Sequence, residues 1–514
     1  MPLKGEQRKA LLRRLTEAFG QDRVLTACED LYIYSHHSRF GTRRIQRPLA
    51  VLRLRSEDDE RRLRGIVDSR GVAVVRDSMR GGEEAALRRD EDVIIVDSGG
   101  YLAAESLPER LSGLAEAERE KEGKLRGSPS FPHRFVSLLQ SRDGYRLEEL
   151  GDSDDGFCVM QPFFDGLETY SAKGRLILSR GLFRGDLPAT GRLVDSMYSC
   201  SSCGQCYDQV AEGGFEVNDA VVRARSEIVR LGAEPRQCGL LRRNMAEYGN
   251  PLGMPPGDRT LWFEEVAEEF PYRRGVMLYW AGCSTAYRLP NVVVSTTNVL
   301  RRSGVGFGML GGEEGCCGLI LYLLGLWDEA AGNASVNVEK LTKLGVKQMV
   351  TSCAGCYFAF TRVYATLGVE MPFEVLHSSQ LMDSLIRGGR LRLRAMEGSY
   401  VWHDPCDLGR HCGVYEPPRR VLRSIPGLRL LEPPLTGSHA LCCGGGGGLW
   451  MYDKDLAEKV TSMKLGEQLG PLGADGIVTG CPNCMLIMKY AAGPGSKKNI
   501  LDLSEIVDRC LGKS

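Results

Sequence analysis

The chain has 514 residues, with 66 basic and 66 acidic side chains and no formal net charge. That length suggests three or four domains. The balanced charge argues against nucleic acid or an anionic membrane surface as the main partner. The N-terminus, MPLKGEQRKALLRRLTEAFG, is charged and amphipathic without an apolar signal core, and the run GLILYLLGLW is too short to cross a bilayer. A cytoplasmic protein with no membrane span is expected, peripheral at most to a membrane partner. Of the 18 cysteines only Cys28 falls in the first 150 residues. Clustered thiols in a long chain of this type point to metal rather than to disulfides.

Residues 20–98 carry DRVLTACEDLYIYSHHSRF, RPLAVLRLRSEDDERRLRGIVDSRGVAVV and DVIIVDSG. These stretches resemble the start of a flavin-linked 2-hydroxy-acid oxidase domain, which implies a small, truncated α+β domain over 1–100. In that family a Gly/Thr/Ser-rich loop after the GVAVV strand holds the FAD pyrophosphate. Here the loop reads RDSMRGGEEAALRRDED, with Asp77, Glu83 and Glu84 facing any phosphate. FAD is therefore not expected, and a role in docking is. Residues 101–150 are charged and punctuated by Pro and Gly, and read as linker.

The segment 151–272 contains YSCSSCGQCYDQV, with Cys200, Cys203 and Cys206. A Cys-x-x-Cys-x-x-Cys run normally continues to Cys-Pro, but Val210 and Ala211 stand there. Following it, NDAVVRARSEIVRLG reads as a helix capped by Asn218, with Val221, Val222, Ile228 and Val229 on its apolar side. In two-cluster ferredoxins the fourth cysteine of each motif serves the other cluster. Upstream, GDSDDGFCVMQPFF resembles the end of a first motif, with Gln161-Pro162 in place of Cys-Pro and with Gly151, Asp154 and Phe157 in place of its triad. The resemblance implies an α-helical ferredoxin-like domain with one cubane 4Fe–4S cluster on Cys200, Cys203 and Cys206. Cys158 is the expected fourth ligand and Cys238 the alternative.

The second half is duplicated. VMLYWAGC, GEEGCCG and VKQMVTSCAGC recur as GSYVWHDPC, SHALCCG and ADGIVTGCPNC. Matching cysteines are offset by 123 (283 to 406), 126 (316 to 442) and 128 (353 to 481), a repeat of domain size. Short apolar runs ending at cysteines alternate with helical stretches such as DLAEKVTSMKLGEQL, the pattern of a parallel sheet. Ligands gather at the carboxyl ends of such strands. Each unit offers five thiols, whereas tetrahedral zinc or a cubane takes four. Adjacent cysteines diverge, and so suit two irons of one extended cluster better than one. The five glycines after Cys443 are read as a close backbone approach to that cluster.

GEEGCCG, TSCAGCY, HDPCDLGRH, CCGGGGG and CPNC resemble the CCG domains of heterodisulfide reductases and of glycolate oxidase iron–sulfur subunits. The resemblance implies a multidomain α/β chain with two duplicated parallel-sheet CCG domains, 273–396 and 397–514. It implies up to two non-cubane 4Fe–4S clusters. Cys283, Cys316, Cys317, Cys353 and Cys356 would hold one, and Cys406, Cys442, Cys443, Cys481 and Cys484 the other. Asp407 stands where relatives carry His. The expected function is an iron–sulfur oxidoreductase subunit that takes electrons from a flavoprotein or membrane cytochrome and reduces a small-molecule disulfide. The alternative is a non-catalytic electron-transfer subunit of a glycolate or lactate dehydrogenase. His403 and Asp404 are either tuning groups or structural. His411 and Cys412 read as structural, and Trp280 and Tyr357 as packing.

Overall fold

The computed structural model describes residues 5–35, 48–67, 72–77, 92–97, 158–164, 167–206, 217–493, 496 and 499–511. The linker 101–150, the loop bearing Glu83 and Glu84, the positions Gly151, Asp154 and Phe157, and Val210 with Ala211 lie outside them. The chain divides into two compact units, 1–197 with 206–224, and 198–205 with 225–514.

In the first unit, β1 (Val24–Leu25), β2 (Ala50–Arg53), β3 (Val72–Asp77) and β4 (Asp92–Asp97) form a sheet of order β1-β2-β4-β3. β2, β4 and β3 are parallel, and β1 is antiparallel to β2. Leu11, Leu15, Leu52, Leu63 and Ile94 form the core beneath it. Burying each such side chain contributes roughly 1.5–3 kcal/mol. Helices Ala172–Phe183 and Gly191–Tyr198 follow. The helix Val217–Arg230 already includes Val217, so Asn218 lies within its first turn rather than capping it.

The second unit holds two parallel sheets of identical topology. β5 (Met277–Trp280), β6 (Phe307–Gly308), β7 (Gln348–Thr351) and β8 (Glu374–His377) have the order β6-β5-β7-β8. β9 (Gly398–Trp402), β10 (Leu428–Leu431), β11 (Gly476–Thr479) and β12 (Asn499–Asp502) have the order β10-β9-β11-β12. The apolar runs that end at cysteines are β5, β7, β9 and β11, the two central strands of each sheet. The chain leaves the first strand of each sheet to one side and returns on the other. The gap between β5 and β7, or between β9 and β11, is therefore the switch point at which such sheets bind ligands.

The two sheets pack with approximate two-fold exchange. Helix Pro290–Arg302 of the first lies against Leu503–Arg509 of the second, and Ser378–Arg387 lies against Glu416–Arg423. Asn291 Nδ2 donates to Glu505 at 2.6 Å, and Arg420 Nη2 donates to Asp383 at 2.7 Å. Among the described residues no helix is long and apolar enough to cross a membrane.

Candidate metal centres

Each sheet delivers its cysteines from three loops. In the first, Cys283 follows β5, Cys353 follows β7, and Cys316 and Cys317 follow β6. Glu314 fixes the first of these loops. Its carboxylate accepts from the backbone N–H of Ala281 (2.9 Å) and Gly282 (2.7 Å) and is paired with buried Arg259. Asn333 and Asn337 donate to the Cys316 carbonyl at 3.0 and 2.8 Å, and Tyr364 donates to the Cys317 carbonyl at 3.0 Å.

The thiols form a chain. Cys283 and Cys316 are 3.9 Å apart, Cys317 interacts with Cys316 and Cys356, and Cys353 Sγ accepts the Cys356 N–H at 3.4 Å. Hydrogen bonds from Cys316 and then Cys356 push the Cys317 thiol down to about 6. Cys356 is driven well up by Cys317, Cys353 and burial. At Gly282 (φ +82°) a Cβ would sit 3.1 Å from Cys356 Sγ, so this backbone comes up against the thiol group.

The second set repeats the pattern. Cys406 interacts with Cys442, Cys443 Sγ lies 3.2 Å from Cys484 Sγ, and Cys484 interacts with Cys481. Hydrogen bonds from Cys442 and then Cys484 hold Cys443 well below the usual thiol range. Gly444 N–H donates to Cys442 Sγ at 3.3 Å, as Gly318 N–H donates to Cys316 Sγ at 3.4 Å. Thr461 donates to the Cys443 carbonyl at 2.6 Å, and buried Lys464 donates to the Leu441 carbonyl.

The residue after the first cysteine of each set reaches the Cys-x-x-Cys loop of the other. Ser284 donates to Asn483, between Cys481 and Cys484, at 2.8 Å. Asp407 lies beside Cys406 (3.7 Å), and its Oδ2 is 3.4 Å from the Cβ position of Gly355, between Cys353 and Cys356. Burial raises the Asp407 carboxyl to about 6, against the opposing pull of Cys406 and Arg410.

The glycine run brings its backbone to the thiols, Gly445 N–H donating to Cys443 Sγ at 3.5 Å, and also meets other backbone. At Gly447 (φ +65°) a Cβ would fall 2.1 Å from the Ser201 backbone, and at Gly444 (φ +85°) 2.8 Å from the Ala457 carbonyl. The run lets polypeptide approach polypeptide, bringing the loop after Cys443 against the segment that carries Cys200 and Cys203.

Three side chains fasten this junction. Arg225 is fully buried and donates to the carbonyls of Cys200 (2.6 Å), Leu323 (2.7 Å) and Gly447 (2.7 Å). Arg410 donates to the carbonyls of Cys203 (2.7 Å) and Ala440 (2.6 Å). His411 meets the Ser202 carbonyl at 3.0 Å and stacks on Phe358, a structural position. The neighbouring Cys442 thiol, with burial, drives the Cys203 thiol well up.

Cys158 and Cys206 belong to the first unit, whereas Cys200 and Cys203 belong to the second. Cys158 Sγ accepts from Arg175 at 3.3 Å. Cys238 is buried, 3.9 Å from both Tyr198 Oη and the Leu324 carbonyl, and burial raises it to about 11. Cys412 sits 3.7 Å from Thr361 Oγ1.

Asp404 is a structural node. It accepts from Trp402 (2.9 Å), from Arg419 (2.7 and 2.6 Å) and from Gly437 N–H (2.9 Å). Burial would raise its carboxyl, but Arg419 outweighs that and holds it low. His403 is different. It is 2 % exposed, neither ring nitrogen has a hydrogen-bond partner, and burial reinforced by Lys464 keeps it neutral. A ring nitrogen and the sulfurs of Cys443 and Cys484 all lie within 4.8 Å of one another.

All of the clustered cysteines are free thiols. Two largely buried five-thiol chains, only Cys283 partly exposed, with an unpartnered imidazole beside one of them suit iron–sulfur clusters, in which soft thiolates bridge to several irons. Glu314, Arg225 and Arg410 escaped the sequence reading. Glu314 alone had a local signal, its place two residues before Cys316.

A family model, Cysteine-rich domain (CCG), matches residues 277–361 and 400–489. One subunit of the dihydromethanophenazine:CoB–CoM heterodisulfide reductase of Methanosarcina acetivorans is 32 % identical over 299 residues, covering 56 % of this chain and 71 % of the relative. The EtfAB:quinone oxidoreductase of Syntrophomonas wolfei is 27 % identical over 61 % of this chain and 46 % of the relative. One subunit of the fumarate reductase (CoM/CoB) of Methanothermobacter marburgensis is 29 % identical over 62 % of this chain and 63 % of the relative. The fold and the paired thiol sets thus define a CCG-type iron–sulfur oxidoreductase subunit. The chain belongs to the family that includes these heterodisulfide reductase subunits.

Proposed function

We propose that this chain is the disulfide-reducing iron–sulfur subunit of an electron-transfer complex. The observation that carries the reading is the pair of five-thiol sets, nine of the ten thiols buried, joined by the Ser284–Asn483 hydrogen bond with Asp407 beside the Gly355 loop. When bound, iron–sulfur clusters there would supply the two electrons that a disulfide needs and irons able to accept its two thiolates. Cys283, Cys316, Cys317, Cys353 and Cys356 would hold the first, and Cys406, Cys442, Cys443, Cys481 and Cys484 the second. Cys200, Cys203 and Cys206, with Cys158 as fourth ligand, would hold a cubane. The chain's own residues position these donors. Glu314 fixes the Cys283 loop, and Arg225 and Arg410 hold the Cys200–Cys203 segment beside Cys442. Electrons arrive from a flavoprotein or membrane cytochrome partner.

A second reading is an electron-transfer subunit without its own substrate. It is favoured by Leu319, whose Cδ2 lies 3.1 Å from the Cβ position of Gly355 and puts an apolar side chain against the first Cys-x-x-Cys loop. Disulfide reduction driven by reduced viologen, in the anaerobic full chain, separates the two. Cys317→Ser and Cys443→Ser should each abolish turnover. Full activity in Cys317→Ser would make the first set a relay and favour the second reading.

A further inference from the structure

His403 and Trp280 are equivalent positions in the two sheets. Val350 of β7 pairs with Tyr279, Val478 of β11 pairs with Trp402, and the next residue along is Trp280 in one case and His403 in the other. Both side chains are buried, and both carry ring nitrogen without a hydrogen-bond partner. Their chemistry differs, because an indole N–H can only donate whereas a neutral imidazole keeps a lone pair.

Leaving a buried polar atom unpaired costs roughly 1–3 kcal/mol, and His403 leaves two. The backbone of His403 is fixed by its N–H to the Val478 carbonyl at 2.8 Å, which places the ring at the gap between β9 and β11. That is the switch point of the second sheet. A ring nitrogen there lies within 4.8 Å of the sulfurs of Cys443 and Cys484, themselves 3.2 Å apart. Imidazole is a competent iron ligand, and histidine nitrogen binds iron–sulfur clusters in Rieske centres.

We propose that His403 ligates an iron of the second cysteine set through a ring nitrogen, giving that set an imidazole donor in addition to its five thiolates. This rests on the reading that the set holds an iron–sulfur cluster. The first set, with Trp280 in the corresponding place, has cysteine donors only. The two sets are thus chemically inequivalent despite their duplication.

The test is pulsed EPR on the anaerobic full chain, reading the paramagnetic signal that disappears in Cys481→Ser. In wild-type protein this signal should carry a nitrogen hyperfine coupling that changes from ¹⁴N to ¹⁵N on labelling with ¹⁵N-histidine. The coupling should be lost in His403→Phe and retained in His411→Phe and Trp280→Phe. The labelled wild-type protein decides the question even where His403→Phe folds poorly. A second-set signal with no histidine nitrogen coupling, or a coupling that survives His403→Phe, overturns the inference and leaves the proposed function standing. Absence of any signal and iron dependent on Cys481 overturns the proposed function, and the inference with it.

Discussion

The thiols of Cys203 and Cys442 lie close enough that each shifts the other's titration, Cys203 upward and Cys442 downward. This contact joins the segment bearing the first two cysteines of the Cys-x-x-Cys-x-x-Cys run to the second five-cysteine set. Arg410 supports it from both sides through the carbonyls of Cys203 and Ala440. Cys203→Ser should therefore lower chemically determined iron by about four per chain, one cluster's worth. The signal that depends on Cys481 should persist with altered line shape. Unchanged iron in Cys203→Ser would remove Cys203 from the ligands.

Arg225 holds three carbonyls from segments far apart in sequence, those of Cys200, Leu323 and Gly447. Substitution by Met leaves all three unpaired, at roughly 1–3 kcal/mol each. Lysine cannot reproduce the planar fork. Thermal unfolding should show Arg225→Met strongly destabilised and Arg225→Lys only partly better. A wild-type midpoint in Arg225→Met would mean that the junction does not depend on this side chain.

Gly447→Ala places a Cβ 2.1 Å from the Ser201 backbone at a φ of +65°, whereas Gly466 has nothing within 4 Å of its Cβ position. Gly447→Ala should lose thermal stability and iron, while Gly466→Ala serves as a neutral control. Equal behaviour of the two would contradict the close approach of the glycine run to the Ser201 segment.

Much of the site was legible because ligand sets leave local marks. The cysteine spacing gave both thiol groups, the near-constant offset gave the duplication, and apolar runs ending at Cys283, Cys353, Cys406 and Cys481 gave the strands. The approach of Gly447 to Ser201 was not legible, because Ser201 lies far away in sequence and leaves no trace near residue 447. Arg225 and the place of Asp407 beside the Gly355 loop were hidden for the same reason. A buried arginine that serves three carbonyls reads, in sequence, like any helix-surface arginine. The structural part of Asp404 was undecidable from HDPC alone, because Arg419 and Gly437 supply it.

His377 and Asp502 end the fourth strand of each sheet, and each caps the following helix through a capping box. Burial lowers His377 to about 4 and raises Asp502 to about 7. Between about pH 4 and 6.5 the unfolded histidine binds a proton that the folded one refuses, so its contribution to stability falls as pH falls. From about pH 4 to 7 the unfolded aspartate ionises while the folded one stays protonated, so its contribution falls as pH rises. The two slopes oppose each other, each at most about 1.4 kcal/mol per pH unit. Relative to wild type, Asp502→Asn should make stability rise more steeply with pH over this window, and His377→Asn should make it fall. Thermal midpoints between pH 4.5 and 7.5 check this, and unchanged slopes in both variants would refute it.

The most direct measurement is metal analysis with Mössbauer spectroscopy of the anaerobically purified full chain. The chain should carry on the order of 12 irons, three four-iron clusters. Two of them should be separately removable, one by Cys317→Ser and the other by Cys443→Ser or Cys481→Ser, with the Cys203-dependent cluster surviving both. Stoichiometric zinc with little iron, or Cys443→Ser and Cys481→Ser affecting different centres, would contradict it.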